Sequence, residues 1–204
     1  MSRDIARAAA QFFGGRVCLD FANTLDWRTS DDPVELIPDY PAFLAWSARR
    51  GTLTEPAAKA LRLRASSGEA GAVMERAWSL RREIWRIAET LRERRAVDLN
   101  ALNGMLSALP PQPSLVSIER GYGYSLSGID LEEPLWPVLW SLTALLASDD
   151  AARIGVCQGT GCGWYFVDES PNRKRVWCSS EVCGNRERVR RSYAKRRRSE
   201  KPAA

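Results

Sequence analysis

The sequence predicts an α+β protein: a mostly helical N-terminal domain with a small β-hairpin, followed by a cysteine-bearing module in which a hairpin leads into a basic helix. Three observations predict it. Apolar residues recur at three- and four-residue steps over much of the first hundred positions. The period changes to alternation on both sides of Gly121. Four of the five cysteines then cluster near the C-terminal end, where the charge also changes sign.

The segment 12–25 is apolar with closely spaced polar groups, and reads as a strand or turn entering a brief helix. Asp20 and Asn23 within it are expected to be structural, capping or tying neighbouring backbone, because no base or metal ligand accompanies them. Asp39 is a helix N-cap, with Pro41 in the first turn and Gly51 as the stop. Thr54-Glu55-Pro56 opens a second helix, to about residue 65, and Ser66-Ser67-Gly68 breaks it. The longest helix runs over roughly 69–95, with Val73, Ala77, Leu80, Ile84, Ile87, Ala88 and Leu91 on its inner face. Asp98 caps a further helix over 99–109 that Pro110-Pro111 ends. Residues 115–120 and 122–126 alternate across Gly121 as a β-hairpin. An apolar helix over about 134–148 carries Trp136 and Trp140 one turn apart, as core rather than as a ligand pocket.

Composition bounds the function. The chain has 204 residues, 45% of them hydrophobic and 27% charged, enough for one ordinary domain and a small appendage. No apolar run reaches the ~18 residues that cross a bilayer, and Met1-Ser2-Arg3-Asp4 does not open a secretory signal. The expectation is a cytoplasmic protein with no membrane partner. There is no histidine. That removes the usual general base, the Ser-His and Cys-His triads and every mixed Cys/His zinc site. With no phosphate loop or dinucleotide fingerprint either, an enzyme in the N-terminal body is the least favoured reading.

The cysteines run Cys157-x4-Cys162, fifteen residues, then Cys178-x4-Cys183. Two close pairs joined by a short loop grip one metal, each pair forming a knuckle. Four thiolates complete a tetrahedron and leave no position for water, so the predicted cofactor is one structural Zn2+, with iron–sulfur ligation as the rival. Residues 164–167 and 175–177 are expected to be the strands of the intervening hairpin. Cys18 lies among apolar residues and reads as core.

Residues 153–204 carry thirteen Lys/Arg against five Asp/Glu, a net of +8. The rest carry seventeen against twenty, a net of −3. After Cys183 a helix capped by Asn185 follows, with Val189 and Tyr193 as a narrow stripe to dock on the hairpin. Eight Lys/Arg against one Glu between 186 and 198 repel one another unless a polyanion offsets them. The candidate nucleic-acid contacts are Arg186, Arg188, Arg190, Arg191, Lys195, Arg196, Arg197 and Arg198 on this helix, with Arg173, Lys174 and Arg175 at the hairpin tip. The division is an N-terminal body over 1–150 and a metal module over 151–204.

The run Trp177-Cys178-Ser179-Ser180-Glu181-Val182-Cys183-Gly184-Asn185-Arg186, followed by a basic helix, resembles the CGNR zinc finger. The run Leu19-Asp20-Phe21-Ala22-Asn23-Thr24-Leu25 resembles the motif that opens the ABATE domain. The resemblance implies a bacterial, stress-related transcription regulator with a treble-clef-like zinc finger built on four cysteines. Its zinc ligands fall on Cys157, Cys162, Cys178 and Cys183, and its motif Asn and Arg on Asn185 and Arg186. The partner expected is double-stranded DNA, with the helical body forming a homodimer or sensing a small-molecule effector. The alternative is an RNA-binding or ribosome-associated protein whose Trp164, Tyr165 and Phe166 stack on unpaired bases.

Overall fold

A computed structural model describes residues 12–108, 113–118, 121–126 and 130–199. Helix α1 (Val17–Ala22) is followed by a two-residue ribbon, β1 (Leu25–Asp26) with β2 (Val34–Glu35), which the periodicity does not announce. Helix α2 (Tyr40–Arg50) starts where Asp39 accepts the Ala42 N–H and stops at Gly51. Helix α3 (Glu55–Arg64) is capped by Thr54. Helix α4 (Ser67–Arg92) begins with a reciprocal capping box between Ser66 and Glu69. Helix α5 (Asn100–Ser107) is shorter than expected, with the Asp98 carboxylate accepting from Asn100 N–H at 3.0 Å. The Pro110-Pro111 stop lies outside the described residues. Strands β3 (Pro113–Ile118) and β4 (Gly121–Leu126) form the expected antiparallel hairpin, but Ile118 faces Gly121, so Gly121 opens the second strand. Its turn, Glu119-Arg120, lies outside the described residues. A 3-10 turn over Glu133–Leu135 then leads into α6 (Trp136–Leu146), where Trp136 is buried core.

Helix α1 explains the architecture. Cys18, Leu19, Phe21 and Ala22 are all buried, because α1 lies inside the body against α4, α6 and strand β6. A six-residue helix has no stability of its own, so packing from every side holds it. Its polar residues are matched individually. Asp20 accepts Gly14 N–H at 2.7 Å and the Arg50 Nε at 2.8 Å. Burial raises its pKa, against the opposing pull of the Gly14 N–H and the Arg50 charge. Arg81 on α4, also buried, donates to Glu35 and Thr24 and so pins β2 to the body.

Strands β5 (Ile154–Val156) and β6 (Tyr165–Val167) form an antiparallel pair around the first cysteine pair. This corrects the expected hairpin: residues 175–177 are irregular and β6 pairs with a strand that precedes Cys157. The four-residue gap between Cys157 and Cys162 itself makes the tight turn, so its two flanks meet. The outer edge of β6 is closed by a side chain. Asn23 donates to Tyr165 C=O and accepts from Tyr165 N–H, both at 2.8 Å, across 142 residues of sequence.

Strand β6 is shared by two cores. Tyr165 and Val167 point into the helical body, whereas Trp164 and Phe166 pack with the four cysteines, Phe13 and Trp177. The period-two alternation of one short strand thus joins the finger to the body. Replacing Asn23 with Ala should orphan both buried peptide groups of Tyr165. At ~1–3 kcal/mol for each unsatisfied group, the expected loss is ~2–6 kcal/mol. The midpoint of urea unfolding checks it.

Candidate functional site

Cys157 leaves β5 and donates its backbone N–H to Trp164 C=O at 2.8 Å, while Cys162 N–H returns to Gly159 C=O at 2.8 Å. Gly159 N–H points at the Cys157 Sγ from 3.4 Å. This is a closed knuckle. The second pair is built differently. Ser179 caps a π-helical turn, Ser180–Gly184, by accepting Val182 N–H, and Cys183 sits in that turn. Helix α7 (Asn185–Ser199) continues directly from it. Asn185 is therefore not the N-cap, since its backbone is already helical at φ −66° and ψ −46°. The cap belongs to Ser179, whose extended backbone frees its hydroxyl to turn inward.

The four sulfurs converge. All lie within 4.8 Å of one another, with 3.8 Å between Cys162 and Cys178 and 3.5 Å between Cys178 and Cys183. A tetrahedron of Zn–S bonds of ~2.3 Å places its sulfurs ~3.8 Å apart. The set fits one zinc ion. A polynuclear iron cluster puts thiolates on separate irons and needs a wider frame. Among themselves the thiols cannot all ionise: hydrogen bonds from Cys162, Cys178 and Cys183 lower Cys157, and the neighbouring Cys157 raises Cys162 and Cys178. A divalent cation removes that conflict, because every ligand binds as thiolate. Cys183 Sγ also receives Arg186 at 3.5 Å, which offsets part of the charge of a four-thiolate centre.

The finger is clamped to the body by a turn that pattern reading missed. Trp27 has φ +53°, and the turn it makes directs Arg28 N–H to Cys162 C=O and Thr29 N–H to Gly161 C=O, at 3.2 and 3.3 Å. The Arg28 guanidinium donates twice to Gly163 C=O and stacks 4.5 Å from the Tyr165 ring. Gly163 has φ +65°, and a Cβ there would meet Thr29 Cγ2 at 2.5 Å, so only glycine permits the contact. No local signal marks residues 27–29, because the partners of Arg28 and Thr29 are more than 130 positions away.

The basic residues separate into two groups. Arg175 is spent inside the fold: it donates to the carbonyls of Val167, Trp177, Phe13 and Cys178 and lies 4.3 Å from the Phe166 ring. It fastens the loop to the finger and offers nothing to a phosphate. Arg186 lies 4.3 Å from the Trp27 ring and is similarly engaged. Arg188 reaches Ser180 C=O, and Arg190 donates to the Thr160 hydroxyl, yet both stay exposed. Arg173, Lys174, Arg191, Lys195, Arg196 and Arg197 are exposed. Helix α7 extends over Arg198, whose side chain lies outside the described residues.

Helix α7 is docked only as far as Arg190, in its second turn. Glu187 is buried and accepts Thr160 N–H at 2.9 Å, which holds its carboxyl below the usual range. Val189 and Tyr193 do not dock on the hairpin; they are 48% and 63% exposed. The small finger core is already closed by other residues, its apolar partners being Phe13, Trp164, Phe166 and Trp177. Trp164, Tyr165 and Phe166 are 5%, 0% and 0% exposed, so none is a stacking platform.

Residues 15–149 match the ABATE family, described as a putative stress-induced transcription regulator. Residues 153–196 match the CGNR zinc finger. No curated protein matches the chain. No described helix is long and apolar enough to cross a membrane. Cys157, Cys162, Cys178 and Cys183 form the zinc site.

Proposed function

We propose that this chain, which belongs to the ABATE family and carries a C-terminal CGNR zinc finger, is a regulator that binds double-stranded DNA through helix α7. The observation that carries the reading is the projection of α7. Its start is fixed by zinc, Arg186, Glu187 and the Arg190–Thr160 contact, and residues 191–197 stand in solvent with Arg191, Lys195, Arg196 and Arg197 and no acidic residue. An α-helix of this kind fits the major groove, where Arg pairs with guanine and apolar or aromatic side chains meet thymine methyls. Val189 and Tyr193, exposed among the arginines, suit the latter role. The body over 1–150 then serves dimerisation or the sensing of a small-molecule effector. The RNA alternative loses support, since its three aromatics are buried. Both carboxylate oxygens of Asp20 are engaged in structural contacts, which favours a non-catalytic body.

Fluorescence anisotropy with a labelled genomic duplex tests it. Log K should fall with log salt at a slope of about −0.9 per phosphate contacted, near −4 for four or five contacts. Absence of duplex binding at low salt, a flat salt dependence, or better competition by single-stranded RNA would refute the reading.

A further inference from the structure

A cavity of about 310 Å³ opens where the body meets the finger. Its lining includes Arg92 from the end of α4, Arg153 and Gln158 from either end of β5, and Arg173 from the loop leading to Cys178. Arg175 and Asp168 also border it, but their polar atoms are committed within the fold. The remaining guanidiniums are incompletely matched. Arg92 holds Glu89 through NH1 at 2.6 Å, and Arg153 reaches Asp150 at only 3.4 Å. The Arg173 side chain, exposed at the mouth on a backbone of φ +49°, makes no ion pair among the described residues.

Three guanidiniums lining one recess repel one another. A single tetrahedral dianion offsets that repulsion. Its oxygens accept from several guanidinium forks at once. The volume exceeds that of a bare phosphate and falls in the range of small-ligand sites. We infer that this cavity is a binding site for the phosphate group of a phosphorylated small molecule. Its walls come from α4, from the strand that leads into Cys157 and from the loop that leads into Cys178, so a bound phosphate bridges the body and both halves of the zinc module. The same guanidiniums could instead serve a DNA phosphate, and the experiment separates these sources.

The zinc-loaded full chain is titrated calorimetrically with inorganic pyrophosphate at constant ionic strength, and its zinc content is checked afterwards. Saturable binding of one pyrophosphate per chain is expected. Arg153→Gln and Arg173→Gln should each weaken it at least tenfold. The second is at an exposed side chain and leaves the fold intact. The triple change Arg191→Gln, Lys195→Gln, Arg197→Gln on α7 should leave pyrophosphate affinity within twofold while it impairs DNA binding, so this site and the DNA-binding reading succeed or fail separately. Non-saturable binding, equal losses in the α7 variant, or a reduced DNA salt slope in Arg173→Gln without any pyrophosphate binding would overturn the inference.

Discussion

Cys178→Ser is expected to lower bound zinc from one ion per chain to none and to destabilise the entire protein, not the C-terminal module alone. Structural zinc contributes ~10–16 kcal/mol in isolated finger peptides, where binding is folding. Here the sulfurs are buried beside Trp164 and Phe166, on a strand whose other face carries Tyr165 and Val167 into the main core. Loss of the ion therefore loosens β6, and with it the Asn23 clamp and the packing of α1. If only ~5 kcal/mol of that reaches the global transition, a chain of this size loses ~10–20 °C of Tm. Elemental analysis and a thermal melt report the two effects together. Cys18→Ala is the control: Cys18 lies in the main core with burial pushing its thiol up to about 12, so zinc content should be unchanged. Retention of a full zinc equivalent by Cys178→Ser would remove the cysteine from the ligand set.

What sequence could reveal follows the range of the interaction. The caps at Asp39 and Thr54 are local, each side chain reaching a peptide group three residues on, and a linear pattern contains both partners. Ser66-Ser67-Gly68 reads as a break, whereas Ser66 is a cap and Ser67 and Gly68 lie in the helix. The cysteines were legible for a related reason, because few structures other than a metal site need two thiol pairs at short spacing. The partner of β6 was not. Residues 154–156 and 175–177 are both plausible strands, and only the tightness of the knuckle selects the first. The Trp27-Arg28-Thr29 clamp and the reach of Asn23 to Tyr165 depend on contacts across more than 130 positions, which a single sequence does not encode locally. Val189 and Tyr193 misled for the opposite reason: i, i+4 apolar spacing gives a face to a helix, but not a partner to that face.

The division among the arginines yields the second large effect. Under the DNA-binding reading, the salt slope counts cations that meet phosphates, while stability counts cations that meet the protein. Arg191, Lys195 and Arg197 are exposed and make no ion pair among the described residues. Changing all three to Gln should reduce the slope by about 2.7, at 0.9 per contact, and weaken binding at 0.1 M salt roughly five-hundredfold. The thermal midpoint should hold or rise slightly, since like charges on one helix face repel. Arg175→Gln should do the reverse. It removes donors from four carbonyls and a cation from the Phe166 ring, at ~3 kcal/mol or more, while the slope of the folded fraction stays constant. Basic residues of one C-terminal module would thus differ in kind, and anisotropy across a salt series beside a denaturation curve separates them. An unchanged slope in the triple variant would mean that α7, however cationic, is not the surface that meets DNA.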